Sequence, residues 1–103
     1  MPKGTLAMLI LRVLRSGPLH GYAIAQRIRE LSGEVLGAEE GSIYPALQRI
    51  LLEGWVAARW GNSESGRRVR FYRLTPDGAE QLRRELDDYE RTTAAIHAIL
   101  KLA

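Results

Sequence analysis

The chain has 103 residues, no cysteine and a formal net charge of +3 at pH 7, with 46% hydrophobic and 26% charged residues. This size and composition predict one globular domain, and the lack of cysteine excludes disulfides and thiolate metal sites. The sequence contains neither a secretory signal pattern nor an apolar run of the ~20 residues that cross a bilayer, so we expect a cytoplasmic protein with no membrane partner.

The first predicted helix runs from Leu6 to about Leu14 and is apolar on nearly every side. One face carries Leu6, Leu9, Ile10, Val13 and Leu14, and the other carries Ala7, Met8 and Leu11. Such a helix is usually buried on two sides, so we expect it to pack on its own domain and also on something else.

The second helix is predicted from about His20 to Ser32, after the Gly17-Pro18 pair ends the first one. Its inward stripe is predicted to be Ile24, Ile28 and Leu31. Gly33 is placed to end this helix in a left-handed cap. The segment from Gly33 to Glu40 then reads as a loop, which is longer than the turn of a strict helix-turn-helix motif.

The central helix is predicted to begin at Ser42 and to end at about Glu53, before Gly54. Ser42 suits the N-cap, and Pro45 suits the first turn, where a missing N–H costs no hydrogen bond. The predicted buried stripe consists of Ile43, Leu47, Ile50 and Leu51. The opposite face carries Ser42, Tyr44, Gln48, Arg49 and Glu53, which suits either a binding surface or an ordinary solvated face.

After Gly54 the pattern alternates, and two strands are predicted over residues 55–60 and 69–74. The loop between them, from Gly61 to Arg68, is rich in turn-forming and basic residues. Two short strands directly after a helix with an exposed polar face are typical of a winged helix-turn-helix. The alternative is a hairpin whose arginines serve only solubility.

The last helix is predicted to begin at Thr75-Pro76-Asp77, which supplies a capping residue, a proline and an acid in the order that favours a helix start. A heptad-like seam follows, formed by Ala79, Leu82, Leu86, Tyr89, Thr93, Ile96, Leu100 and Ala103. At ~1.5 Å per residue this helix would be on the order of 40 Å long, more than so small a domain can cover.

We therefore expect the last helix to pair with a second copy of the chain, together with the second face of the first helix. The predicted dimer interface consists of Met8, Leu11, Leu82, Leu86, Tyr89, Thr93, Ile96 and Leu100. In the alternative, the long helix folds back over its own domain. An effector pocket at the dimer centre would be lined by Met8, Leu11, Tyr89 and Ile96.

No catalytic or metal-binding pattern is present, since His20 and His97 are far apart and no phosphate-binding glycine loop occurs. We expect no enzyme activity, no cofactor and no metal. The predicted contacts to DNA come from the wing arginines, the central helix and the N-terminus. They are Arg67, Arg68 and Arg70 for phosphates or a minor groove, Gln48 and Arg49 for base edges, and Ser42, Tyr44 and Lys3 for phosphates.

Several phrases resemble those of the PadR family of bacterial transcriptional regulators, in the short subgroup with a single C-terminal helix. They lie at residues 17–22, 41–47, 53–56 and 70–78. The resemblance implies a mainly α fold with a small β-hairpin, made of a winged helix-turn-helix over residues 1–75 and a dimerisation helix over residues 76–103. It also implies a DNA backbone contact by Tyr44 and, in some short members, binding of flat aromatic compounds at the dimer centre.

The sequence thus predicts a sequence-specific DNA-binding regulator, a homodimeric repressor that a small hydrophobic or aromatic effector or a stress signal releases from its promoter. Two alternatives remain open at this point. One is a winged-helix module that binds an acidic protein. The other is a ligand sensor with no direct role at DNA.

Overall fold

A computed structural model describes residues 3–37 and 40–102 of the chain. The elements in chain order are α1 (Lys3–Leu14), β1 (Leu19–His20), α2 (Gly21–Leu31), α3 (Glu40–Leu52), β2 (Val56–Asn62), β3 (Arg68–Leu74) and α4 (Pro76–Leu100). This order confirms the predicted fold class, a mainly helical winged helix-turn-helix followed by one long helix. None of the helices in the described ranges is long and apolar enough to cross a membrane.

The sheet has three antiparallel strands in the order β1-β3-β2. The hairpin of β2 and β3 was predicted, and its pairing runs from Val56 opposite Leu74 to Asn62 opposite Arg68. Strand β1 was missed, because two residues carry no periodicity and their partners lie far along the chain in β3. His20 therefore ends a strand and caps α2, where its Nδ1 accepts a hydrogen bond from the Ala23 N–H at 3.4 Å.

Helix α1 lies at the centre of the core and packs against α2, α3, β3 and α4. Leu11 has no accessible surface, and Met8 and Leu82 are buried within the same chain. These three residues are thus part of the core of one chain, whereas we expected them to face a second copy. Within the single chain, the first turns of α4 pack against α1. The sequence analysis had instead predicted that a second copy of the chain packs there.

Helix α2 ends in the predicted cap, but one residue of its predicted inward stripe is exposed. Gly33 adopts a φ of 62°, and the Glu34 N–H reaches back to the Arg29 carbonyl oxygen at 2.9 Å, as in the predicted left-handed cap. Ile24 and Ile28 are buried, whereas Leu31 is exposed, which corrects its place in the inward stripe. At this last turn the helix has already passed the edge of the core.

Helix α3 begins at Glu40, two residues earlier than predicted. Ser42 is therefore not the N-cap, and Pro45 lies inside the helix, where it cannot donate a hydrogen bond to the carbonyl four residues back. Of the predicted stripe, Ile43, Leu47 and Ile50 are fully buried and Leu51 is half-buried. Packing of this stripe against the core stabilises α3, as it does most helices in proteins.

Thr75 joins α4 to the beginning of β2 with three hydrogen bonds. Its Oγ1 accepts from the Gly78 N–H at 3.0 Å and donates to the Gly54 carbonyl oxygen at 2.7 Å. Its own N–H donates to the Trp55 carbonyl oxygen at 3.1 Å. The start of α4 is thus fixed against the first residues of the hairpin, and the rest of the helix takes its direction from this joint.

The 25 residues of α4 span about 37 Å at the helical rise, so the helix extends beyond the core that its first turns cover. Near its start the Arg83 guanidinium donates to both carboxylate oxygens of Glu80, which lowers the pKa of Glu80. This exposed pair therefore stabilises the helix at neutral pH and is lost as the pH falls through that lowered pKa. Beyond Leu86 the seam emerges from the core.

Candidate nucleic-acid interface

Helix α3 presents the predicted polar face to solvent. Ser42, Tyr44, Gln48 and Arg49 are all exposed, while the opposite face is closed against the core. Pro45 shares the exposed face and gives it a rigid stretch near its N-terminal end. The face therefore offers an amide and a guanidinium that can form paired hydrogen bonds with base edges in a major groove.

Tyr44 is held against the first residue of α2. A side-chain Cβ built on Gly21 would lie 2.9 Å from the Tyr44 Cε1 and 3.2 Å from its hydroxyl oxygen, so a larger residue at position 21 would displace the ring from this position. The phenol is half-exposed, which leaves its hydroxyl able to donate to a phosphate. The contact between Gly21 and Tyr44 was not predicted from the sequence. The only local signal for it was a glycine at the start of a helix, which by itself does not show what packs there.

The wing is the hairpin of β2 and β3 with the turn at residues 63–67. Within the turn the Arg67 carbonyl oxygen accepts from the Ser63 N–H at 2.8 Å, and the Ser63 hydroxyl accepts from the Arg67 N–H at 3.2 Å. Both strands are seven residues long. Arg67 therefore lies exposed at the tip of a well-defined turn, where the sequence analysis expected it.

The register of the hairpin separates its arginines into two faces. Trp60 lies opposite Arg70 and Asn62 opposite Arg68, so all four side chains share one face. Toward the base of the hairpin the same face buries Val56 and Tyr72 against the core. The predicted wing residues Arg68 and Arg70 thus lie on the side of the sheet that faces the helices.

The other face of the hairpin also carries two exposed arginines. Arg59 lies opposite Phe71, and Arg73 lies opposite Ala57. Because side chains alternate along a strand, these two guanidinium groups point away from the helices. The four exposed arginines of the two strands are therefore divided equally between the face toward the helices and the face away from them.

Trp60 lies between the arginines of the first face. Its ring centre is 5.1 Å from the guanidinium carbon of Arg68 and 5.9 Å from that of Arg70, both within cation–π range. Trp60 is 58% exposed. The cluster of Trp60, Arg68 and Arg70 was not predicted from the sequence. Predicting it would have required the strand register, which places residue 60 opposite residue 70.

Other predicted site residues lie elsewhere. The side chain of Lys3 falls outside the described part of the chain. Leu11 is closed to solvent, so it lines no effector pocket in one chain, whereas Tyr89 and Ile96 are exposed on α4.

A cavity of about 380 Å³ lies elsewhere, between α1, α2 and the segment after α2, lined mainly by Leu9, Val13, Ile28, Leu31 and Leu36. Residues 3–37 and 40–102 contain no cluster of side chains able to hold a metal ion.

Comparison of the sequence with known families gives a match over residues 10–84 to the transcriptional regulator PadR-like family. The negative transcriptional regulator PadR of Bacillus subtilis is 33% identical over 71% of this chain. The chain spans 40% of that regulator and 24% of another curated relative, from Streptomyces fradiae. The relatives are thus considerably longer than the part that this chain matches.

Solved structures resemble the fold closely. A transcriptional regulator from Clostridium thermocellum superposes with a TM-score of 0.88 at 28% identity, over 96% of this chain and 93% of that one. Bacillus subtilis PadR in complex with operator DNA superposes with a TM-score of 0.71 at 32% identity, over 80% of this chain and 47% of that one. The winged-helix part is thus shared with a protein whose structure contains operator DNA.

Proposed function

This chain belongs to the PadR-like family of transcriptional regulators, and from that premise we propose that it is a cytoplasmic, homodimeric repressor that binds operator DNA. Residues 1–75 would bind the DNA and residues 76–103 would join the two copies. Two observations carry the proposal: α3 has an exposed polar face, and the wing has a cationic face on the side of the sheet that packs against the core at its base. The related Bacillus subtilis structure with operator DNA supports it.

The proposed contacts divide by chemistry. Gln48 and Arg49 would reach base edges in the major groove, since amide and guanidinium groups pair with adenine and guanine there. Tyr44 and Ser42 would bind phosphates, and the wing arginines would neutralise phosphates beside the minor groove. In a two-fold dimer the two copies of α3 would meet successive major grooves about 34 Å apart.

The test is a fluorescence-anisotropy titration of the protein against the DNA upstream of its own coding sequence and against a scrambled duplex, at two salt concentrations. We expect tight binding to the upstream DNA that weakens steeply as salt rises, because released counterions drive phosphate contacts. Equal weak binding to both duplexes would place the operator elsewhere. No salt-sensitive binding to any duplex would contradict the proposal and favour an acidic protein partner.

Replacing Gln48 with alanine should relax the preference for one base of the operator. A paired hydrogen bond to an adenine edge discriminates by about 1–3 kcal/mol, and alanine cannot form it. The measurement is the affinity of Gln48→Ala for the operator and for variants changed one base pair at a time. Its affinity for the scrambled duplex is the control and should not change, and an equal loss on every duplex would exclude a base contact.

The proposed dimer is formed by the part of α4 that leaves the core. Ile96 and Leu100 are 50% and 73% exposed in the single chain, and Ile99 and Leu102 are exposed beside them. An apolar helix end of this kind is stable in water when another surface covers it. Thr93 and Tyr89 lie about one and two turns before Ile96 on the same seam and would extend the contact toward Leu86.

Introducing Ile96→Glu and Leu100→Glu together should dissociate the dimer, because each change would bury a carboxylate in an apolar interface. Sedimentation at low micromolar concentration should give the mass of one chain. Ala98→Glu is the matched control, since residue 98 lies about 200° around the helix from residue 96 and is exposed. A double variant that sediments like the wild-type dimer would show that this seam is not the interface.

We also propose that a small hydrophobic or aromatic effector binds between the two copies, where Tyr89 and Ile96 of each would meet. The exposed ring of Tyr89 supports this position, since flat aromatic compounds can stack on it. A binding compound at a hundred times its Kd should stabilise the protein by about 2.7 kcal/mol and raise its Tm. The shift should vanish in Tyr89→Ala and persist in Tyr22→Ala, and a shift that survives in Tyr89→Ala would place the effector elsewhere.

A further inference from the structure

Trp60 lies at the outer part of the wing, beyond the residues of the same face that pack on the core. A single exposed aromatic side chain is ordinary in itself, so the neighbours of the ring decide what it can do. The neighbours that it does contact are two cations, Arg68 and Arg70.

The register explains how one ring contacts both arginines. Arg70 is the direct cross-strand partner of Trp60, and Arg68, two residues along the same strand, is its diagonal neighbour on that face. Two like charges so placed would repel each other and spread apart. The negative face of the indole ring offsets this repulsion and holds both guanidinium groups near it.

Neither guanidinium group forms an ion pair with a carboxylate within residues 3–37 and 40–102. A guanidinium group held near an aromatic face keeps N–H donors directed outward in its plane. These donors match the geometry of phosphate oxygens. The pair of arginines is therefore available to an anion and is partly ordered before the anion arrives.

We propose that Trp60 is a positioning residue for DNA binding, which holds Arg68 and Arg70 as a preformed pair for the backbone phosphates of duplex DNA. This inference rests on the proposed function and adds to it a residue that does not itself contact the DNA. Its contribution is preorganisation, because long arginine side chains otherwise lose much rotamer freedom on binding. Cation–π contacts at exposed sites correspond to roughly two- to fivefold in affinity for each arginine.

The decisive experiment compares Trp60→Leu with Trp60→Phe in the anisotropy titration, using the full chain and the upstream duplex. Leucine keeps a large apolar side chain but removes the π face. We expect binding to be weaker by about 16-fold or more, because a dimer contains four such arginines and each contributes at least about twofold. Phenylalanine retains a π face and should restore binding to within about threefold of the wild type. The Tm of both variants should stay within a few degrees of the wild-type value.

A second arm separates positioning from direct contact. In an Arg68→Ala/Arg70→Ala background, adding Trp60→Leu should cause no further loss, since no guanidinium group remains to be positioned. A further loss there would show that Trp60 itself stacks on DNA, and this would overturn the inference. Wild-type affinity in Trp60→Leu would overturn it as well, while the proposed function would stand. Absence of wild-type binding to any duplex would instead overturn the proposed function, and this inference with it.

Discussion

Replacing Gly78 with alanine is expected to lower the free energy of unfolding by about 3 kcal/mol, at the upper end of the usual cost of overpacking. A Cβ on residue 78 would overlap the carbonyl oxygen of Trp55 and lie 2.8 Å from its carbonyl carbon. These are backbone atoms, and that oxygen also accepts the hydrogen bond from the Thr75 N–H. The joint between α4 and the hairpin would have to open to admit one methyl group.

Gly4→Ala is the matched control, because Gly4 also lies in the first turn of a helix and a Cβ there would meet no atom within 4 Å. Alanine is favoured over glycine in helices by about 0.5–1 kcal/mol, so this variant should be slightly more stable than the wild type. Urea denaturation at one fixed protein concentration measures both changes. Equal effects of the two substitutions would contradict the close packing of Gly78 on Trp55.

Replacing Arg68 and Arg70 with alanine is expected to weaken DNA binding by roughly 10²–10³-fold near physiological salt. Each phosphate contact contributes about 0.9 to the slope of log affinity against log salt concentration. The double variant removes four such contacts from a dimer. The slope should therefore fall by about 3 to 4, and the loss should be similar for the operator and for the scrambled duplex, because phosphates carry no sequence information.

The control for this prediction is the double variant Arg59→Ala/Arg73→Ala. It removes the same charge from exposed positions of the same two strands, on the face turned away from the helices. We expect its affinity to fall by less than about tenfold, as the long-range effect of net charge alone. Equal losses in the two double variants would mean that the wing acts only through total charge and has no specific face toward DNA.

In the proposed dimer, each DNA-binding surface would keep its shape while the spacing between the two surfaces could change. The wing and α3 are fixed to one core, and α4 leaves that core from a joint built by Thr75 and Gly78. An effector that binds along the projecting part of α4 would change the angle between two copies without altering either surface. Coupling between effector and operator would then be a change in the separation of the two α3 helices.

Much of this protein is determined by its sequence alone. The buried stripe of α3, the hairpin with its basic turn and the helix start at Thr75 were predicted in place, because each depends on periodicity or on capping chemistry within a few residues. The family resemblance, carried by short phrases along nearly the whole chain, was also confirmed. Local pattern was enough for the fold class and for the chemical character of the proposed DNA-binding surface.

Only the tertiary structure decided which residues share a surface. Leu11 and Leu82 looked like interface positions, because periodicity marks a residue as apolar without saying which chain covers it, and the fold places both in one core. Strand β1 and the overlap of Gly78 with Trp55 depend on segments that are distant in sequence. The cluster of Trp60 with Arg68 and Arg70 likewise follows from cross-strand register, since pairing between strands selects which side chains meet.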